Sequence, residues 1–202
     1  ADIISAHLFS HASDKDGFKG IWEPIIQSAD KLAQNKIINI DNVLQQFMYI
    51  NRSKERQYSE GELTTPGVRK YYTVLYPELL ETPDTLCDKF SKILRIWDKI
   101  QSYSIVKLMM KFNENFKLFL ISYLFRVPED EITESNITPI VECLLRLFAL
   151  LEVGDYSYSS RYFKTFLFNE NFKLVDEAYK IEGILEDFNK HISSTWKEED
   201  VL

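Results

Sequence analysis

Residues that interrupt helices and form turns are scarce in this chain, which has 6 glycines and 6 prolines among 202 residues. A fold of many short strands needs frequent turns, so this scarcity favours long helices. Apolar residues make up 45% of the sequence and aromatic residues 14%, which is enough to build a folded core. The sequence therefore predicts an all-α protein with at least half of its residues in helices and no substantial sheet.

Apolar residues recur at helical spacing along most of the chain, and polar or proline-containing segments separate these stretches. The predicted helices cover about residues 3–12, 18–26, 41–50, 71–80, 84–100, 105–125, 138–151, 160–168 and 171–194. Asp41 is the predicted N-cap of the third helix. Pro139 is predicted in the first turn of the helix that begins near Thr138. The polar residues 51–68 are predicted to form a surface loop.

The net charge of −7 is unevenly distributed, with 13 basic and 14 acidic residues in 1–100 but 11 and 17 in 101–202. Non-specific nucleic-acid binding depends on neutralising phosphates, so this acidic balance disfavours direct nucleic-acid binding. No apolar run approaches the ~20 residues that span a bilayer, so we expect no membrane insertion. Cys87 and Cys143 lie in apolar helical patterns, as reduced core cysteines of a cytosolic or nuclear protein do.

The sequence contains no recognisable motif for catalysis or cofactor binding. A Gly-rich phosphate loop and a Gly-x-Ser-x-Gly nucleophile motif are both missing from it. His7 and His11 lie one helical turn apart but have no further His or Cys nearby to complete a metal site. Cys87 has apolar neighbours, which is typical of a core thiol. We therefore predict no catalytic residues, no cofactor and no metal, and expect that the protein is not an enzyme.

Residues 84–102 have two distinct faces when they are arranged at ~3.6 residues per turn. The apolar face contains Phe90, Ile93, Leu94, Trp97 and Ile100. The opposite face carries a row of cations, called the basic stripe below, which consists of Lys89, Lys92, Arg95 and Lys99. In an acidic protein such a stripe is a candidate anion-binding surface. The alternative is a solvated face whose cations pair with Asp88 and Asp98.

Residues 90–99 also resemble a late-helix signature of the RNA polymerase II C-terminal-domain-interacting domains. That signature is a basic residue, two aliphatic residues, a variable position, an aliphatic residue and Trp, which correspond here to residues 92–97. The upstream order is similar too, with a His-containing segment (residues 11–13), a helix with Trp22, an apolar helix and a loop with Gly67. The resemblance covers residues 1 to about 115.

The resemblance implies an eight-helix right-handed superhelix, similar also to VHS domains, whose groove holds a turn-forming peptide containing phosphoserine. It places Lys92 at the phosphate-contacting position, with Lys89 and Arg95 beside it on the stripe. It also associates Asp41 and Asn42 with the family's peptide-binding Asn-Asp pair. On this basis residues 1–110 form the predicted domain, and residues 111–202 form a helical region packed on it.

Two main interpretations of function are open at this point. In the first, the chain is a nuclear protein-interaction module that binds the phosphorylated RNA polymerase II tail in transcription or RNA 3′-end processing. In the second, it is a helical scaffold subunit of a larger complex, nuclear or cytoplasmic, without phosphopeptide binding. An enzyme or nucleic-acid binder without recognisable motifs is a third. The first requires Lys92 to be exposed in a concave groove with polar neighbours, whereas the second allows a convex, solvated face.

Overall fold

A computed structural model describes residues 1–54, 67–111, 114–153 and 159–195, and all the regular secondary structure in these ranges is helical. The all-α prediction is thus confirmed, whereas the superhelical arrangement stays a prediction. The helices are α1 (Asp2–His11), α2 (Lys15–Gln34), α3 (Ile40–Arg52), α4 (Val68–Lys70), α5 (Pro83–Ile100), α6 (Ser104–Met109), α7 (Phe116–Leu124), α8 (Glu134–Val153), α9 (Ser160–Lys173) and α10 (Ile181–Thr195). A π-helical stretch, Tyr71–Leu75, and a 3₁₀ helix, Pro77–Leu80, link α4 to α5.

Helix α5 packs along α2 and against α3. The ring of Phe90 meets Trp22 of α2 at 6.4 Å and Phe47 of α3 at 5.7 Å between centroids, in both cases edge to face. Trp97 is fully buried, and its Nε1 donates a hydrogen bond of 2.8 Å to Oε1 of Gln46 on α3. The indole therefore contributes apolar area without leaving a buried donor unpaired.

The C-terminal helices pack directly on α3. The Tyr49 hydroxyl donates to the carbonyl of Leu167 in α9 at 3.0 Å, and Nδ2 of Asn171 donates to the carbonyl of Tyr49 at 3.0 Å. Nζ of Lys117 in α7 donates to the carbonyl of Ile37 at 2.7 Å. Buried apolar side chains from both ends of the chain belong to one continuous core. The domain boundary near residue 110 stays a prediction.

Helix α3 begins one residue earlier than expected and has a different cap. The Asn39 side chain accepts from the backbone N of Asn42, and the Asn42 side chain accepts from the backbone N of Asn39, each at 2.9 Å. This reciprocal capping box satisfies two backbone donors. The prediction of Asp41 as N-cap was therefore wrong. Asp41 lies in the first turn, where its charge is favourable to the helix dipole.

Two further helix boundaries differ from the sequence-based expectation. The predicted single helix over residues 105–125 is two helices, α6 and α7. Helix α8 begins at Glu134, so Pro139 lies inside it rather than in its first turn. The Thr133 hydroxyl accepts from the backbone N of Asn136 at 3.3 Å and so helps to start the helix earlier than the proline.

The last two helices are divided at another place than predicted. Helix α9 continues to Lys173, and the connection to α10 lies at residues 174–180 rather than near residue 170.

Within the predicted loop over residues 51–68, residues 51 and 52 end α3, and residues 55–66 lie outside the described residues. In the part of the chain that the structure describes, no helix is long and apolar enough to span a bilayer.

Candidate functional site on helix α5

Helix α5 presents the basic stripe at the protein surface because its other face is held in the core. Phe90, Ile93 and Trp97 are fully buried, which fixes the rotation of the helix about its axis. Lys89, Arg95 and Lys99 are exposed, and Lys92 is half-buried. The structure thus places the four predicted cations together along one surface of α5.

The connection between α7 and α8, residues 125–133, lies against this surface. The Tyr103 hydroxyl donates to the carbonyl of Ile132 at 2.9 Å, and the side chain of Ile132 is fully buried. Nζ of Lys99 donates to the backbone carbonyl of Glu129. These anchors hold the connection in place and position Glu129 beside the basic stripe.

The Glu129 carboxylate pairs with the guanidinium of Arg95. Nη2 of Arg95 lies 2.9 Å from Oε1 of Glu129, and Nε lies 3.3 and 3.4 Å from the two carboxylate oxygens. The hydrogen bond from Arg95 holds the pKa of Glu129 below its ordinary value, against the opposing effect of partial burial. The charges of Arg95, Lys92 and Lys99 lower this pKa further. Three cations of the stripe therefore act on one carboxylate.

Lys92 has an aromatic ring and a carboxylate as neighbours. Its Nζ lies 4.8 Å from the ring centroid of Phe125, a cation–π contact. Neither Lys92 nor Lys89 makes an ion pair with any of the described residues. The positive charge of the stripe is therefore only partly compensated by Glu129.

For a solvated stripe the sequence predicted ion pairs with Asp88 and Asp98, but the structure shows other pairs. Nζ of Lys31 on α2 pairs with Oδ1 of Asp98 at 3.2 Å, which draws this carboxylate to the α2 side of α5. Glu129, at a distance of 34 residues from Arg95, supplies the carboxylate instead. This role of Glu129 was not predicted from the sequence, because it depends on how the α7–α8 connection packs against α5.

Asp41 and Asn42 make local contacts at the first turn of α3. Asn42 is part of the capping box, and Oδ1 of Asp41 accepts from the amine of Ala1 at 2.7 Å. Within the described residues, no hydrogen bond or ion pair connects either side chain to the basic stripe. Of the five candidate peptide-binding residues, the structure therefore brings together Lys89, Lys92 and Arg95.

A groove of about 1090 Å³ lies elsewhere, between the α7–α8 connection, the beginning of α8 and the α9–α10 connection. It is lined by charges of both signs, which include Lys54, Lys180, Glu131 and Glu182. Arg126, which also lines it, donates to the carbonyl and hydroxyl of Ser122 at the end of α7. A cation there is expected, because the last carbonyls of a helix carry negative partial charge. The groove therefore shows no preference for an anion.

The basic stripe has a more specific geometry than the groove, because the guanidinium fork of Arg95 pairs with the Glu129 carboxylate while the ammonium group of Lys99 donates to the carbonyl of the same residue. The described ranges contain no group of three or more His, Cys, Asp or Glu side chains that could hold a metal ion.

A comparison with models of known protein families, with curated protein sequences and with solved structures gave no significant match for this chain.

Proposed function

We propose that the chain is a non-enzymatic protein-interaction module whose basic stripe binds a phosphorylated peptide. The observation that carries this proposal is the exposed ion pair of Arg95 with the Glu129 carboxylate, with Lys99 bound to the Glu129 carbonyl and Lys92 on the same surface of α5. An internal carboxylate in this position occupies the place that an anionic group of a partner would take.

The chemistry of the stripe suits a phosphate monoester better than a carboxylate. A phosphoserine carries a charge of roughly −1.5 to −2 and three acceptor oxygens. Arg95 offers a planar fork that can bind two of these oxygens, and Lys92 adds a point charge. Because Lys89 and Lys92 make no ion pair with the described residues, a second negative charge would find partners on the stripe.

The resemblance of residues 90–99 suggests the phosphorylated C-terminal tail of RNA polymerase II as the partner. On this proposal the protein acts in the nucleus, in transcription or RNA 3′-end processing. The position of Lys92 meets only part of what this function requires, since the residue is half-buried beside the Phe125 ring rather than fully exposed.

A helical scaffold subunit of a larger complex, without phosphopeptide binding, is the second candidate function. The observation that favours it is the same pair of Arg95 and Glu129, because an internal carboxylate already binds the guanidinium of the stripe. The two candidates differ in whether the cations of α5 bind a phosphate in solution.

Isothermal titration with paired phosphorylated and unphosphorylated polymerase-tail peptides distinguishes them. We expect the phosphorylated peptide to bind the wild-type protein, and Lys92→Ala to weaken binding about tenfold or more, since a charge-assisted hydrogen bond contributes roughly 1.5–3 kcal/mol. Lys92→Arg should preserve or strengthen binding, because a guanidinium fork suits phosphate.

Lys107→Ala provides the matched control, since Lys107 is an exposed lysine of α6 outside the stripe. It should leave the affinity unchanged, and melting curves should show that both alanine variants are folded. Binding of neither peptide at high concentration supports the scaffold. Binding that ignores both the phosphate and Lys92 leaves a peptide site but contradicts the chemistry proposed for it.

A further inference from the structure

We infer that Glu129 is an internal competitor for the basic stripe, which occupies the phosphate position in the free protein and leaves Arg95 when the phosphorylated partner binds. This inference rests on the proposed function and adds a regulatory element to the same site. Its basis is the geometry of Arg95, Glu129 and the anchored connection between α7 and α8.

One of the two bidentate edges of Arg95 is already in use. Nη2 and Nε of Arg95 lie 2.9 to 3.4 Å from the oxygens of the Glu129 carboxylate. These two nitrogens form the edge of the guanidinium that faces the α7–α8 connection, and this edge can bind an anion in a bidentate manner. A partner phosphate cannot bind this edge of Arg95 until the carboxylate has moved away.

The carboxylate is free to move because water already reaches it. The side chain of Glu129 is 44% exposed and that of Arg95 is 58% exposed. An exposed ion pair of this kind is weak, since water solvates both charges and holding two long side chains together costs conformational entropy. Glu129 can therefore exchange its partner for solvent without burying an unpaired charge.

The backbone around Glu129 is held independently of its carboxylate. Lys99 binds the Glu129 carbonyl, Tyr103 binds the carbonyl of Ile132, and the Ile132 side chain lies in the core. Rotation of the Glu129 side chain away from Arg95 therefore does not require the α7–α8 connection to unfold. The carboxylate behaves as a movable group on a fixed support.

The exchange is favourable for a phosphate because of the charge that remains on the stripe. Lys89 and Lys92 lack ion pairs with the described residues, and Lys92 lies close enough to Glu129 to lower its pKa. A dianionic phosphate gains more from these two cations than the singly charged carboxylate does. Displacement of Glu129 then reduces the affinity for the partner without preventing binding.

The test is isothermal titration of the full chain with a phosphoserine-containing polymerase-tail peptide. Glu129→Gln keeps the size of the side chain and removes its charge, so we expect binding about two- to fivefold tighter than wild type, equivalent to about 0.4–1 kcal/mol. Asp130→Asn removes the same charge at the adjacent exposed residue and serves as the matched control. It should change the affinity less than Glu129→Gln does.

A double-mutant cycle locates the effect at Arg95. In an Arg95→Ala background, removal of the Glu129 charge should no longer tighten binding, because the shared guanidinium is gone. If Asp130→Asn tightens binding as much as Glu129→Gln, the effect is one of general charge and the competitor role is wrong.

The remaining outcomes separate the inference from the proposed function. Suppose that the wild type binds the peptide in a way that depends on Lys92, and that Glu129→Gln binds it with the same affinity as the wild type. The competitor role is then wrong, and the proposed function still holds. If neither the wild type nor Glu129→Gln binds the peptide, the proposed function fails and the inference fails with it. If Glu129→Gln binds the peptide and the wild type does not, the result supports both the proposed function and the competitor role, and Glu129 competes more strongly than expected.

Discussion

Two clusters of opposite charges in this protein have very different surroundings. On α5, Arg95 holds Glu129 in an ion pair whose side chains are 58% and 44% exposed. Between α9 and α10, the Glu170 side chain is only 3% exposed and accepts from Lys173 at 2.7 Å and from the Tyr179 hydroxyl at 2.5 Å. This difference in burial decides whether each carboxylate can exchange its partner.

Hydrogen bonds among its own members hold the cluster between α9 and α10 together. Nζ of Lys173 donates to both Glu170 and Asp187, with Oδ2 of Asp187 at 2.8 Å. The Tyr179 hydroxyl lies 2.6 Å from Oδ2 of Asp187 and also reaches Glu170, and it donates its single proton to one of the two carboxylates at a time. Burial alone would lower the pKa of Lys173, but its hydrogen bonds to Asp187 and Glu170 raise it overall. Loss of any member removes a hydrogen-bond partner or an opposite charge from its neighbours. This cluster is therefore a structural brace, whereas Glu129 can exchange its partner.

The largest expected difference between the clusters is in stability. Glu170→Ala removes the buried carboxylate and leaves Asp187 as the remaining acceptor for Lys173 and Tyr179, so it should lower the free energy of unfolding by about 2 kcal/mol, since a hydrogen bond to a charged group contributes roughly 1.5–3 kcal/mol. Glu129→Ala removes an exposed ion pair and should lower it by less than about 1 kcal/mol. Urea denaturation of both variants, followed by circular dichroism, provides the measurement. Equal losses for the two substitutions would show that burial does not separate the clusters.

A smaller difference is expected in the response to acid. The hydrogen bonds from Lys173 and Tyr179 hold the pKa of Asp187 below its ordinary value, against the opposing effect of burial, and the charges of Lys173 and Lys190 add to the lowering. Because the folded pKa lies below the unfolded value of about 3.9, the stabilisation by Asp187 is present above about pH 4. It is lost as the pH falls through the folded pKa.

The variants Asp187→Asn and Glu129→Gln test this difference with matched chemistry. We expect a shallower loss of stability below about pH 4 in both variants than in the wild type, because the pKa values of both carboxyls are held below their ordinary range. The change should be larger in Asp187→Asn, since the side chain of Asp187 is 31% exposed and that of Glu129 is 44% exposed. Urea denaturation at a series of pH values measures both profiles. A profile for Asp187→Asn that follows the wild type throughout would contradict the brace.

The sequence predicted α5 and its basic stripe well because both are local patterns. The predicted helix over residues 84–100 differs by one residue from the observed Pro83–Ile100, and the apolar and basic faces follow directly from helical periodicity. Glu129 could not be found in this way. Its contact with Arg95 depends on how the α7–α8 connection packs on α5, a tertiary arrangement that spacing along the chain does not encode.

A repeated heptapeptide also shows that local sequence alone does not determine where a helix begins or ends. The sequence Phe-Asn-Glu-Asn-Phe-Lys-Leu occurs at residues 112–118 and again at residues 168–174. In the first copy α7 begins at its fifth residue, whereas the second copy forms the end of α9. The predicted helix over residues 105–125 was wrong because it ran through the polar residues Asn113, Glu114 and Asn115. Helix α6 ends at Met109, before this polar run, and α7 begins at Phe116, directly after it.

The side chain of Arg95 gives the most direct test of whether Glu129 is an exchangeable occupant of the basic stripe. We would follow its Nε–Hε signal by ¹H–¹⁵N NMR, assigned through its loss in Arg95→Lys, while adding the phosphoserine-containing polymerase-tail peptide. We expect the signal to move along the binding curve, from different starting positions in the wild type and Glu129→Gln to a shared end point. A wild-type signal that stays at its free position while the peptide saturates the protein would show that Glu129 still holds Arg95 and is not an exchangeable occupant.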